Sequence, residues 1–315
     1  MATITDKSQY EEGIKASFRG KEIASQVKFD FSKNGSGKST GMVASVGTWT
    51  PPACWYEPKY TPEEMEKQYE DLLKSPLFSG KKEAVEGMGG RFKDGNPYTD
   101  FNKEKAGKGM FWTSARDDSN PTNPHIWDCK KPDFWADNGH APDVEHAIDA
   151  ETLAGLAYSR IQVPDTEVTL APEQSTRVNL ATWAWLDQAD FHSVSVTASL
   201  NVAGWNISAT TTAKPVSLRL EPGTADATMF PASGVCRINA DGSIGEPYSK
   251  GRSNESPPCG VTYLRSSGDG TYKLKAAITW QITWNGSNGE AGRLPDGSFG
   301  TTQDVTVQEI QSVNR

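Results

Sequence analysis

The sequence predicts a mainly-β chain: a two-sheet sandwich over the C-terminal half, preceded by an irregular, disulfide-bridged α+β region. Three observations carry this. In "YKLKAAITWQITW", Tyr272, Leu274, Ala276, Ile278, Trp280, Ile282 and Trp284 share one parity, while Lys273, Lys275, Ala277, Thr279, Gln281 and Thr283 share the other. A stripe of period two is a strand with one dry face. The composition combines 29 Gly and 19 Pro with 10 Trp, 9 Tyr and 11 Phe at a mean hydropathy of −0.60, which suits strands joined by turns around an aromatic core. Finally, all four cysteines sit in Pro- or Gly-rich loop sequence, as in "WTPPACWYEP" and "NESPPCGVTY".

Taken along the chain, Val27, Phe29 and Phe31 alternate as a strand. "NGSGKST" (34–40) ends as a phosphate loop ends, but Ser32 stands where the first Gly is required, and "TGMVASVGTWTPP" favours strand over the long helix such a loop opens. The stretch therefore reads as a hairpin with Asn34-Gly35 at its tight turn, and no nucleotide binding is expected. "TPEEMEKQYEDLLKS" predicts a helix near 62–74, with Pro62 in the first turn, Glu near its positive end, Lys74 at its negative end, and Met65, Tyr69 and Leu72 or Leu73 as its buried stripe. Residues 75–148 read as Gly- and Asp-rich loops with scattered aromatics. Asp149 caps a short helix carrying Leu153, Leu156 and Ala157. Alternation then predicts strands in "SVSVTASLNV", "NISATTT" with Ile207 and Ala209, "PVSLRLEP" with Val216, Leu218 and Leu220, and "DVTVQEI". The expected organisation is an N-terminal region 1–148, a connecting helix 149–159 and a sandwich 160–315.

The four cysteines lack zinc-ribbon or dithiol spacing. Of three possible pairings, Cys54–Cys129 and Cys236–Cys259 each close a loop inside one expected region. Disulfides point to an oxidising compartment, yet no apolar run follows Met1; the expectation is an extracellular or cell-surface protein whose export signal has been replaced at Met1. No window approaches 18 apolar residues, so no membrane-spanning helix is expected. The net charge of −8 disfavours a general nucleic-acid surface or a polybasic membrane patch.

The segment from Cys236 to Trp284 resembles the back half of a PKD-like domain, an immunoglobulin-like sandwich of extracellular proteins. Cys259, Thr262-Tyr263, Ser267, Gly270-Thr271-Tyr272 and Trp280 carry the likeness. The chain departs from the family where "LRLEPG" replaces its acidic Trp-Asp-x-Gly-Asp-Gly turn, and Val261 stands where His is usual. The order of a Pro-flanked Cys, a later Trp–Cys, a short helix, "VNLATWAWLD" and then strands is similar to uncharacterised secreted actinobacterial proteins. What the resemblance implies is non-catalytic contact outside the cell.

Candidate sites follow from residue chemistry. Exposed Trp and Tyr anchor partners or stack on sugars. Trp55 and Tyr56 beside Cys54, and Trp127, Phe134 and Trp135 beside Cys129, form two clusters that the first bridge would unite. Trp183, Trp185, Trp280 and Trp284 follow strand parity and are expected in the core. His140 and His146 lie among Asp137, Asp143 and Glu145, but Pro142 between them breaks helical spacing, and no metal site is expected. Carboxylates for hydrolysis could come from Asp117, Asp118, Asp133 or Asp137, without a spacing that pairs any two. The resulting expectation is a non-enzymatic protein with no cofactor, recognising a protein or cell-envelope partner. The alternative is a secreted hydrolase or carbohydrate-binding protein acting on cell-wall or other polysaccharide.

Overall fold

The computed structural model describes residues 27–36, 43–44, 52–74, 82–116, 122–139, 141–164, 167–187, 191–202 and 204–309. In chain order the elements are β1 (Val27–Asp30), β2 (Val43–Ala44), β3 (Cys54–Tyr60), α1 (Pro62–Lys74), α2 (Lys82–Phe92), β4 (Gly109–Arg116), β5 (Phe134–Asp137), α3 (Ala150–Tyr158), β6 (Thr169–Ala171), β7 (Ser175–Arg177) and β8 (Ala181–Trp185). Then follow β9 (Val194–Val202), β10 (Trp205–Glu221), β11 (Ala227–Phe230), β12 (Val235–Arg237), β13 (Gly260–Tyr263), β14 (Tyr272–Gly286) and β15 (Ala291–Gln308). Short 3₁₀ turns occupy Asp100–Lys105 and Pro124–Trp127. Strand makes up 45% of the chain and helix 16%, so the mainly-β expectation holds.

The dry stripe of β14 forms the spine. From Leu274 to Trp284 every predicted member is buried, and Trp280 is only 1% exposed. β14 lies between β10 and β15 in an eight-stranded sheet of order β1-β9-β10-β14-β15-β2, with β12 beside β10 and β7 parallel to β15. A second sheet has the order β11-β13-β8-β6, and a third β3-β4-β5. Helix α3 starts at Asp149, whose carboxylate accepts from the Thr152 N–H at 2.7 Å. It lies against β9, β10 and β14, and Thr211 Oγ1 donates to the Ala154 carbonyl at 2.8 Å. Helix α1 has a reciprocal cap: Thr61 N–H donates to Glu64 and Glu64 N–H to Thr61 Oγ1. Met65 is fully buried, while Leu73 is exposed, so Leu72 completes its stripe.

Two expectations are corrected. Asn34-Gly35 does not close a hairpin, because β1 pairs with β9 and β2 with β15, at opposite edges of the large sheet. The Asn34 side chain instead bridges the chain after α3, donating to the Arg160 carbonyl at 3.1 Å and accepting from the Gln162 N–H at 2.9 Å, while Gly35 N–H donates to the Gln162 carbonyl. Gly37-Lys38-Ser39-Thr40 lies outside the described residues. Likewise "NISATTT" and "PVSLRLEP" are one 17-residue strand, β10. Pro215 opposes Trp280 and Ser217 opposes Thr279, leaving Val216 as a bulge. The bulge accommodates the missing N–H of Pro215 and switches the buried parity from Ile207, Ala209 and Ala213 to Leu218 and Leu220.

One apolar cluster runs from Trp55 through Trp112, Leu156 and Trp205 to Val307, spanning all three sheets and α3. A satellite cluster of Met65, Phe92, Phe101 and Phe111 fills the space between the third sheet and α1 and α2. Both expected disulfides are present: Cys54–Cys129 with Cα atoms 5.9 Å apart and Cys236–Cys259 at 5.6 Å. Such bonds are compatible with an extracellular location. Among the described residues no helix is long and apolar enough to cross a membrane.

Candidate functional site

The third sheet places the predicted site. β4 is its central strand, and its residues alternate between the two cores. Trp112 pairs with Phe134 and faces the main core, where its ring meets Trp205 edge-on at 5.2 Å. Phe111 pairs with Trp135 and faces the satellite core, edge-on to Phe92 and Tyr98. Over Gly109 to Trp112 both faces of β4 are therefore dry.

The first bridge gathers the two predicted aromatic clusters but divides their members. Trp55, Tyr56 and Phe134 are 1%, 3% and 6% exposed, so as contact residues they are corrected to core. Strand β3 has both edges covered: β4 pairs along one, and on the other Tyr56 N–H donates to the His146 carbonyl while Ile148 N–H donates back to Tyr56. The Tyr56 hydroxyl accepts from the Lys131 N–H at 2.7 Å, tying the Cys129 loop down. Trp135 is half-buried; its indole Nε1 donates to Asp137 at 2.7 Å.

Trp127 stands apart at 61% exposed. It ends the 3₁₀ turn Pro124–Trp127, started by Asn123, whose side chain accepts from the His125 N–H at 3.0 Å. Ile126 is buried and anchors the turn, so its neighbour Trp127 points to solvent. Two residues on, Cys129 bonds to Cys54, the residue opposite Arg116 at the end of β4. This geometry lays the Arg116 guanidinium over the Trp127 ring, 4.4 Å from its centroid. His125 Nδ1 meets Asp128 at 2.8 Å, and Lys131 Nζ sits 4.4 Å over the Phe134 ring. The sequence identified Trp127 but not Arg116; the even parity of Met110, Trp112, Ser114 and Arg116 was the signal that could have placed Arg116 at the end of a strand.

On the satellite-core face, Glu57 pairs with Thr113, and Thr113 hydrogen-bonds the Asp133 side chain. Two carboxylates thus flank one threonine, Glu57 from β3 and Asp133 from the residue just before β5. Burial pushes the Asp133 carboxyl above the ordinary range, opposed by the Thr113 hydrogen bond and by Arg91. Arg91 also donates to the Asp133 carbonyl at 2.7 and 3.2 Å. Burial, with Asp133 and Glu64 nearby, raises the Tyr60 hydroxyl. Glu57 accepts from Trp55 Nε1 at 2.9 Å. Asp117, Asp118 and His140 lie outside the described residues. His146 contacts Glu145, and among the described residues no three His, Cys, Asp or Glu side chains gather as a metal site. A cleft of about 430 Å³ lies at the second bridge, between Pro231, Arg237 and Pro258.

Comparison with known protein families, curated proteins and solved structures finds no match to this chain.

Proposed function

We propose that this is a non-enzymatic recognition protein acting outside the reducing cytosol, holding a protein or cell-envelope partner through Trp127 and its surroundings. One observation carries the reading: among the described residues the largest exposed aromatic sits on a turn pinned by a disulfide, with a cation stacked on its ring. A rigid, amphipathic side chain held in place loses little entropy on binding, which is why Trp and Arg dominate binding hot spots. The sequence resemblance of residues 236–284 to a PKD-like domain would fit a contact role, and two disulfides are compatible with export. The test is affinity capture from the envelope of the producing organism with wild-type protein and Trp127→Ala in parallel. A partner held by the first and lost by the second supports the reading; a partner held equally by both refutes it.

A polysaccharide hydrolase has one observation in its favour, the Glu57–Thr113–Asp133 row. Two carboxylates on one face, one of them raised by burial, can divide general-acid and general-base roles. Release of reducing ends from cell-wall polysaccharide, abolished by Asp133→Asn, would establish it; unchanged release in that variant would dismiss it.

A further inference from the structure

The surroundings of Trp127 specify the chemistry of what it holds. Arg116, Lys130 and Lys131 are all exposed around the first bridge. Among the described residues, Asp128 beside Trp127 is engaged by His125; Asp117 and Asp118, which follow Arg116 in the sequence, lie outside the described residues. Among the described residues no carboxylate pairs with Arg116, Lys130 or Lys131, although the chain as a whole carries a net charge of −8. Exposed cations left without a carboxylate partner are free to pair with acidic groups of another molecule. Arg116 adds direction. A guanidinium held over an indole through its π-face leaves its N–H groups unused, and these can give a carboxylate two parallel bonds. Stacking also weakens its hydration, so less is lost when a carboxylate replaces water.

We infer that the Trp127–Arg116 platform, with Lys130 and Lys131, docks an acidic polypeptide segment of the partner, one carboxylate on the Arg116 edge and the neighbouring acids on the two lysines. This rests on the recognition reading above. A peptide is favoured over a sugar because Arg116 already covers a face of the indole. That leaves a pyranose at most the other face of the ring, whereas bidentate pairing uses only the N–H groups of the guanidinium. Trp127 at 61% exposure also stands proud of the surface, within reach of a flexible chain.

The experiment titrates the full, oxidised protein with a short oligoglutamate peptide, following intrinsic fluorescence and calorimetry. Oligoglutamine, polygalacturonate and anionic lipid vesicles are the comparison arms. Oligoglutamate should bind and change the Trp127 emission. Binding should fall roughly tenfold in Arg116→Gln and in Trp127→Ala, and vanish at about 0.5 M salt, where screening reaches within a few ångströms. Oligoglutamine should not bind. Arg116→Lys keeps the charge but lacks the fork, so it should recover only part of the loss, which mere charge attraction would not predict. Equal binding by wild type and both loss variants overturns the proposal, as does tighter binding to polygalacturonate or vesicles than to oligoglutamate. The envelope capture separates the two readings: a partner lost in Trp127→Ala but kept in Arg116→Gln and at high salt leaves recognition standing and removes the acidic segment.

Discussion

Asn34 shows how one side chain can substitute for secondary structure. Its amide pairs with a carbonyl and an N–H of the segment 160–162, as a strand neighbour would. Asn34→Ala strips both partners, and urea denaturation should show a loss of roughly 1–3 kcal/mol. Gly35→Ala should also destabilise, by roughly 2 kcal/mol, because a Cβ there would stand 2.2 Å from the Gln162 carbonyl oxygen. Gly87, inside α2, meets nothing within 4 Å, so Gly87→Ala should gain roughly 0.5–1 kcal/mol in the same assay. Asp133 gives a pH signature. Burial raises its native carboxyl above 3.8, so between the unfolded and native values the folded state binds more protons. Stability from this group is full below about 4 and declines as pH rises through the native value. Asp133→Asn removes that decline: its advantage over wild type should grow from pH 4 upward and then level off.

The strands show why some elements could be read from the sequence and others could not. β9 and β14 each have one wet face, so Val194 to Leu200 and Leu274 to Trp284 alternate cleanly. β10 reads as two pieces because the Val216 bulge reverses its parity. That reversal is testable. Deleting Val216 removes the extra residue while Pro215 stays opposite Trp280 and Ser217 opposite Thr279, so Leu218 and Leu220 keep the dry face and circular dichroism should show a folded protein; loss of folding would mean that the bulge itself is required. Pro215→Ala keeps the bulge and should cost only roughly 0.5–1 kcal/mol, mostly through a freer unfolded chain. β4 escaped detection for the opposite reason: with cores on both faces, Gly109 to Trp112 are all buried and no period appears. The start of β15 carries no apolar alternation because its glycines serve close pairing; at Gly300 a Cβ would sit 2.1 Å from the Ala276 carbonyl oxygen. The candidate site was legible only in part, since Trp127 and its cysteine are adjacent in sequence while Arg116 joins them through strand pairing.

At the scale of the whole molecule, bridges and cores decide how the chain comes apart. The bonds close loops of 75 and 23 residues, so the chain-entropy relation assigns about 4.5 and 3.4 kcal/mol respectively. Cys54→Ala/Cys129→Ala should therefore destabilise more than Cys236→Ala/Cys259→Ala, and it alone should open the Trp127 turn to protease. Sequence composition divides the chain near residue 148, but side-chain packing crosses that point. Trp112 and Phe134 share a cluster with Trp205, Ile282 and Val307, and β1 and β2 lie in the sheet built from residues beyond 194. Elements that bury one another's apolar faces cannot lose them independently. Thermal unfolding should accordingly give one transition, with tryptophan fluorescence and far-ultraviolet dichroism coincident. Two separated transitions, the earlier one carrying the Trp127 signal, would mean that the third sheet and its satellite core melt as a unit of their own.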